Sequence, residues 1–397
     1  MREEIAVLDI GSGKIVFVVG QKSSDDMFNV KNFASVQYPG YYKGEWVDKD
    51  SLASYIAEAV TKSNYNLKCK TLYVSVPAEF TLVKTNGLLT NLKKRKTIGE
   101  GMIKDIHNKA DSLKVADYSV LCSSAIEYVL DGENHTISPI GESVASIYAN
   151  MSYIFCKNDF IRTVCDIAAR IGFKHVKFID GVWAEGTQLI EAESRINGAV
   201  LIDVGYASTT FAFVKGDGIK YKNSASFGYG FMVDALAKAL NVNYYVAEKM
   251  LSQITLNIDS DETSTYQYMN GNVQYECRAR DINNLLHCLI ADNLVDFVNS
   301  NVYAIKEMDD LTNSRSGYSG TPVSSINYLT EFCLTGGGLS EIRGAVKYFE
   351  RLLAKEVVML KGNTAGWDKP YFASAFATLE VADKLNTKNS LLQKIFG

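Results

Sequence analysis

Short apolar runs broken by tight polar bends open the chain and recur in its middle. Ile5-Ala-Val-Leu8 and Ile15-Val-Phe-Val-Val19 predict two strands around the bend Asp9-Ile-Gly-Ser-Gly-Lys14. A third strand over 31–38 closes a meander at Pro39-Gly40. Leu52, Ile56 and Val60 then recur at helical spacing behind a cap at Asp50-Ser51, and Leu72 to Val76 returns as a strand stopped by Pro77. Meander, helix and strand predict a mixed sheet with helices on its faces.

The same pattern comes back at Ala199-Val-Leu-Ile202, where a buried strand runs into Asp203-Val-Gly-Tyr-Ala-Ser-Thr-Thr210 and resumes at Phe211-Ala-Phe-Val214 before the turn Lys215-Gly-Asp-Gly218. Strand, Asp-x-Gly, small hydroxyl residue, strand occurs twice. The repetition predicts two like halves, each giving one loop to a shared ligand. Gly11 and Gly205 let the backbone turn sharply and approach that ligand closely. Hydroxyls and bare N–H groups in such bends suit a phosphate.

Between the two loops the pattern changes. Over 84–156 a capping box at Thr97-Ile-Gly-Glu100 opens a helix with Ile103, Ile106 and Ala110 on one face, and two strands follow over 119–130 and 143–156. In the second, Ala145, Ile147, Ala149, Met151 and Tyr153 alternate with more polar residues. This predicts a small inserted α+β module, with Lys93-Lys-Arg-Lys96 as a solvated loop at its edge. Asn158-Asp159 caps a helix stopped by Gly172, and a strand over 176–179 leads to Asp180-Gly-Val-Trp-Ala184, with a helix after it.

Beyond the second loop, helices carry Met232, Leu236 and Leu240, then Ala247 to Leu251. A hairpin turns at Asn270-Gly271, Asp281 starts an amphipathic helix, and a Ser/Thr/Gly/Asn-rich loop spans 313–325. Leu334-Thr-Gly-Gly-Gly-Leu-Ser340 places three glycines between a strand and a helix that begins near Leu339 with Ile342, Val346 and Phe349 inward. Bare backbone there lets a flat or charged ligand lie close.

Composition narrows the reading without choosing it. A chain of 397 residues buries large cores in two or more domains. A net charge of −4 argues against a general nucleic-acid binder. The 7 cysteines form no Cys-x-x-Cys pair, which suits reduced thiols. No apolar run approaches the roughly 18 residues of a membrane span, and Met-Arg-Glu-Glu leads straight into a strand, so a cytoplasmic protein without signal peptide is expected.

Together the two Asp-x-Gly loops and the triple-glycine turn resemble the actin-like ATPase superfamily. Within it, the inserted module, the segments 228–234 and 247–248, and Pro370-Tyr-Phe-Ala-Ser-Ala are similar to the FtsA family of bacterial cell-division proteins. The resemblance implies an α/β, two-lobed actin-like (ribonuclease-H-like, duplicated) fold with an inserted small α+β subdomain. Its first lobe would comprise 1–84, 157–198 and 363–385, with the insertion at 85–156. The second lobe's core would comprise 199–240 and 326–362, its outer subdomain 241–325, and a tail 386–397.

By the same resemblance, ATP and Mg²⁺ lie in the cleft. Asp9 and Asp203 hold the magnesium, through its waters because that ion dehydrates reluctantly. Gly11, Ser12, Gly13 and Lys14 contact phosphates from one lobe, and Gly205, Ser208 and Thr209 from the other. Gly336, Gly337 and Gly338 line the adenosine pocket, with Glu248 near the ribose. This chain also departs from the family. Tyr206 and Ala207 stand where relatives carry glycines, and Leu251 stands where they carry a base. The slot of the water-activating residue is Gly181, with Asp180 beside it as the remaining candidate. ATP binding with slow or absent hydrolysis is therefore expected.

The resemblance further implies filaments on the inner face of the cell membrane and capture of the tubulin-like protein FtsZ through its C-terminal peptide. In the tail, Leu391, Leu392, Ile395 and Phe396 share one helical face with Lys394 nearby. Membrane lipid is one use for that face, and docking on the protein itself is the other. An alternative relative is the actin-like subunit of type IV pilus assembly, which binds a peptide from an inner-membrane partner.

Overall fold

The computed structural model describes residues 3–23, 27–108, 113–256, 263–316, 326–362, 364 and 366–386. Two five-stranded sheets share one topology. In the first, Ile5–Ile10, Lys14–Lys22 and Phe28–Gln37 form an antiparallel meander, and Thr71–Val76 and His175–Asp180 add on parallel beyond Ile5–Ile10. In the second, Ala199–Val204, Thr209–Lys215 and Gly218–Ala225 form the meander, and Glu331–Thr335 and Val357–Met359 add on parallel. The near-continuous apolar runs of the parallel strands are buried on both faces, as such strands require.

Two helices, Gly181–Leu189 and Ala373–Asn386, lie between the sheets. Val182, Trp183, Phe376 and Leu379 pack in one core with Val16 and Val18 of the first sheet and Leu201 and Val214 of the second. Separate cores cover the outer faces. One holds Leu52, Ile56 and Phe160 against the first sheet, and another holds Met232, Leu236, Leu286 and Phe349 against the second. The inter-sheet core sets the strand ends, where both bends lie, face to face.

The inserted module is a four-stranded sheet with the helix Glu100–Asn108 on it. Its longest strand is Thr81–Thr97, so Lys93 to Lys96 belong to a strand rather than to a loop. Among the described residues that strand is an edge paired with Ser143–Lys157 alone, and its exposed lysines discourage pairing with another chain. The charge run disguised it. Thr97 ends this strand, so the helix starts from Gly99, whose carbonyl accepts from Met102 and Ile103, and not from a capping box at Thr97. Ala110 lies outside the described residues. A register shift between Val144 and Ser146 turns Val144 inward and leaves Ala145 exposed, against the expected alternation; Ile147, Ala149, Met151 and Tyr153 do face the core.

Other expectations also shift. The first helix, Leu52–Lys62, is capped from further back, by Asp48 Oδ1 accepting from Ser51 N–H at 3.1 Å. The helix expected after Ala184 begins at once, at Gly181. The helix Asp296–Ser316 extends into the expected loop, since apolar periodicity upstream propagates through a polar end; 317–325 lie outside the described residues. The helix expected from Leu339 is two pieces, Gly337–Ser340 and Ala345–Leu353, broken where Gly344 takes φ 79°. The tail positions Leu391, Leu392, Lys394, Ile395 and Phe396 lie outside the described residues. No described helix is long and apolar enough to cross a membrane.

Candidate functional site

The two bends are built alike. Asp9 pairs with Val16 and Asp203 with Thr210, so each aspartate sits at the same register before its turn. Gly11 N–H donates to Lys14 O at 2.9 Å, and Gly205 N–H donates to Ser208 O at 2.8 Å. Along the parallel strands Asp9 lies opposite Ser75, and Asp203 opposite Thr335.

The bends also touch. Ala207 N–H donates to Ser12 Oγ at 2.9 Å, and a Cβ on Gly13 would meet the Tyr206 ring at 2.6 Å. Tyr206 is braced from behind, its hydroxyl 2.6 Å from that of Tyr244. Gly336, at φ 83°, closes the third side. A Cβ there would strike Val204 O at 2.3 Å and Asp203 Oδ1 at 2.4 Å. Only glycine fits, because both the left-handed backbone and the space exclude a side chain.

These elements enclose a cavity of about 450 Å³, the size of a small-ligand site. Its floor is acidic. Ser374 Oγ donates to Asp9 Oδ1 at 2.9 Å and lies 2.8 Å from Ser75 Oγ. Burial nevertheless raises the Asp9 carboxyl, against the pull of those two hydroxyls and of Lys14. Burial, then the charge of Asp9, pushes Asp203 up to about 7. Lys14 stands 4.3 Å from the Tyr371 ring centroid, and burial lowers its pKa although Asp9 and Glu341 oppose this. Glycine-rich backbone, hydroxyls and one lysine beside buried carboxylates form a surface for a polyanion together with a divalent cation.

The model of the family described as "Cell division protein FtsA" matches residues 200–377. The cell division protein FtsA of Escherichia coli (strain K12) is 20% identical over 390 residues, which cover 95% of this chain and 90% of that one. Among solved structures, one of a PilM-PilN type IV pilus biogenesis complex superposes with TM-score 0.61 at 14% identity, covering 96% of this chain and 99% of that one. A MamK double helical filament gives 0.55 at 11%, covering 96% and 98%. MreB 5 of Spiroplasma citri bound to AMPPNP gives 0.53 at 11%, covering 96% of each. The chain is FtsA-like, with an actin-like fold.

Set against the FtsA resemblance, the cavity is lined by Asp9, Gly11, Ser12, Gly13 and Lys14 from the first bend, and by Asp203, Gly205 and Ser208 from the second. Gly336, Gly337, Gly338 and Glu248 line it as well. Thr209 does not: it is buried and donates its hydroxyl to Phe227 O at 2.7 Å. Leu251, in the place of the FtsA family's base, is a fully buried core residue.

Asp180 is not in the lining either. Its carboxylate caps the helix Gly181–Leu189 by accepting from Trp183 N–H at 2.7 Å, and it accepts from Thr81 Oγ1 at 2.5 Å and Lys222 Nζ at 2.8 Å. Those bonds hold it as a buried ion pair, turned away from the cleft. The carboxylate that does reach the cavity from this helix is Glu185, which the sequence reading passed over. Helical spacing was the available signal, since Gly181 and Glu185 are one turn apart on one face. Glu79 and Tyr38 also line the cavity and were missed, because isolated residues at strand and turn ends form no pattern; Tyr371 lines it from the segment Pro370-Tyr-Phe-Ala-Ser-Ala, which carried the resemblance but no assigned site role.

Proposed function

We propose that this chain binds ATP with Mg²⁺ in the cleft, polymerises along the inner face of the cell membrane and tethers FtsZ in bacterial cell division, turning ATP over slowly or not at all. The observation that carries the nucleotide reading is the pair of matched bends closed on each other over the floor of Asp9 and Asp203. The residues fit the cation: the buried carboxyls of Asp9 and Asp203, with Lys14 beside Asp9, favour a positive charge between them. Bound there, the cation would neutralise phosphate charge, while Ser12, Lys14 and Ser208 would hold the phosphate oxygens and Gly336 to Gly338 would leave room for the nucleoside.

Slow turnover is supported by Asp180, whose carboxylate is engaged by three donors. Self-assembly is supported by the likeness to the MamK filament, and the division role by FtsA similarity along nearly the whole chain.

A second reading is the pilus-type actin-like subunit, favoured by the PilM-PilN structure, which has the highest TM-score of the three given above. Co-sedimentation with anionic liposomes in Mg·ATP separates the two, comparing the full chain with one ending at Asn386. Lipid-dependent pelleting of the full chain alone supports the membrane-bound scaffold. If neither chain pellets, the scaffold reading gives way to the peptide-binding one.

A further inference from the structure

The two halves treat their aspartates differently. On the first sheet, Asp9 is held by Ser374, which in turn meets Ser75 on the neighbouring strand. On the second sheet, the residue opposite Asp203 is Thr335, whose buried hydroxyl faces the Glu185 carboxyl. Beside it Glu185, 1% exposed, leaves Oε2 without a partner while lining the cavity. A buried carboxyl oxygen left unsatisfied beside a cavity carries a substantial desolvation penalty. Thr335 lies opposite Asp203 by register, and Glu185 reaches the cavity beside the same aspartate.

Why the carboxylate sits at 185 rather than one turn earlier is visible at Gly181. A Cβ there would approach Ser75 Oγ to 2.8 Å and Ser374 Oγ to 2.9 Å, so the hydroxyl pair that holds Asp9 occupies the space of a side chain. Position 185 carries its carboxylate to the opposite aspartate.

We propose that Glu185, oriented by Thr335, is a positioning residue for the divalent cation: it accepts and orders water on an ion held between Asp9 and Asp203. The contact is through water, because among the described residues no three acidic, histidine or cysteine side chains converge closely enough to ligate one ion directly. Magnesium keeps several waters and needs acceptors for their protons, which Glu185 supplies on the side where Asp203 has no serine like Ser374. The inference rests on the nucleotide reading above and assigns Glu185 a role that reading does not need.

The test is titration of MgCl₂ into the full chain with a fluorescent ATP analogue, for wild type and Glu185→Gln. The magnesium concentration for half-maximal binding should rise about 10-fold or more in the variant. Its affinity for the analogue in EDTA should match that of wild type, since burial favours the neutral Glu185 carboxyl when no cation is bound. The melting temperature in EDTA should stay close to that of wild type, because burial raises the Glu185 carboxyl well above its ordinary range and the amide replaces a neutral group of the same shape. Thr335→Val should move the magnesium midpoint in the same direction by a smaller factor, and it stands in if Glu185→Gln misfolds. A folded Glu185→Gln, or Thr335→Val in its place, with the wild-type magnesium midpoint overturns the inference while leaving the nucleotide reading intact. Wild type that binds no analogue at any magnesium concentration overturns both.

Discussion

Ser12 Oγ accepts the Ala207 N–H at 2.9 Å, joining two bends 195 positions apart in sequence. By register Ser12 is the counterpart of Tyr206, and Gly13 of Ala207. Each bend thus meets the other at equivalent places, and the Tyr206 ring fills the space over Gly13 that a second glycine would leave open. Ser12→Ala removes the bridge. In the absence of nucleotide the loss is one hydrogen bond, about 1 kcal/mol of stability by denaturant titration. Affinity for Mg·ATP should fall by roughly 10-fold, because a hydrogen bond to a charged phosphate is stronger than the one it replaces. An unchanged affinity in equilibrium binding would show that Ser12 serves only to join the loops.

Restoring a glutamate at the family's slot should not create an ATPase. Gly181→Glu must displace the Ser75 and Ser374 hydroxyls and with them the hydrogen bond to Asp9. The expected result is destabilisation of about 1–3 kcal/mol, the usual range for overpacking a filled site. Phosphate release should be no faster than wild type. Faster release from a stably folded variant would mean that the serine pair yields and that only a missing side chain limits turnover.

The duplicated architecture was legible because both signals in it are local. Apolar runs of strand length flank Asp9 and Asp203, and the glycines after them answer to a turn that any ligand-free chain would also need. The triple glycine was legible for the same reason. What stayed hidden depends on distant parts of the chain. Lys93 to Lys96 read as a loop, since nothing near them announces the partner strand Ser143–Lys157. Asp180 looked available because Lys222 and Thr81, which engage it, lie 42 and 99 positions away. Glu185 was invisible as a cleft residue until the inter-sheet core fixed which face of Gly181–Leu189 meets Asp203.

The Asp180–Lys222 pair carries its own prediction. Both side chains are nearly or fully buried, at 0% and 4% exposure, so removing one leaves the other charged and desolvated. Lys222→Met should lower stability by about 3–5 kcal/mol in denaturant titration. The double variant Asp180→Asn/Lys222→Met should lose clearly less than the sum of the single changes, the signature of direct coupling. Additive losses would instead place the pair's importance in the separate contacts each makes with Thr81 and Trp183.

Acid should weaken the inserted module through His107. The ring is buried, with Nδ1 3.1 Å from Ser123 O and 2.9 Å from Ser123 Oγ, and Nε2 3.4 Å from the Tyr128 hydroxyl. A neutral ring donates from Nδ1 to the carbonyl and accepts at Nε2 from the tyrosine. Burial lowers its pKa from 6.5 to about 4, outweighing the opposing bond to Ser123. The unfolded chain therefore binds a proton between those values while the folded one does not, and stability falls as pH falls through that window. It is fully present above 6.5 and is lost progressively down to about 4. The contribution amounts to at most about 3 kcal/mol. Thermal unfolding of wild type and His107→Gln from pH 7.5 to pH 4 isolates it: wild type should lose stability more steeply on acidification, and the variant, less stable at neutral pH, should converge toward it in acid. Parallel curves would mean that the pH response comes from other groups and that His107 contributes packing alone.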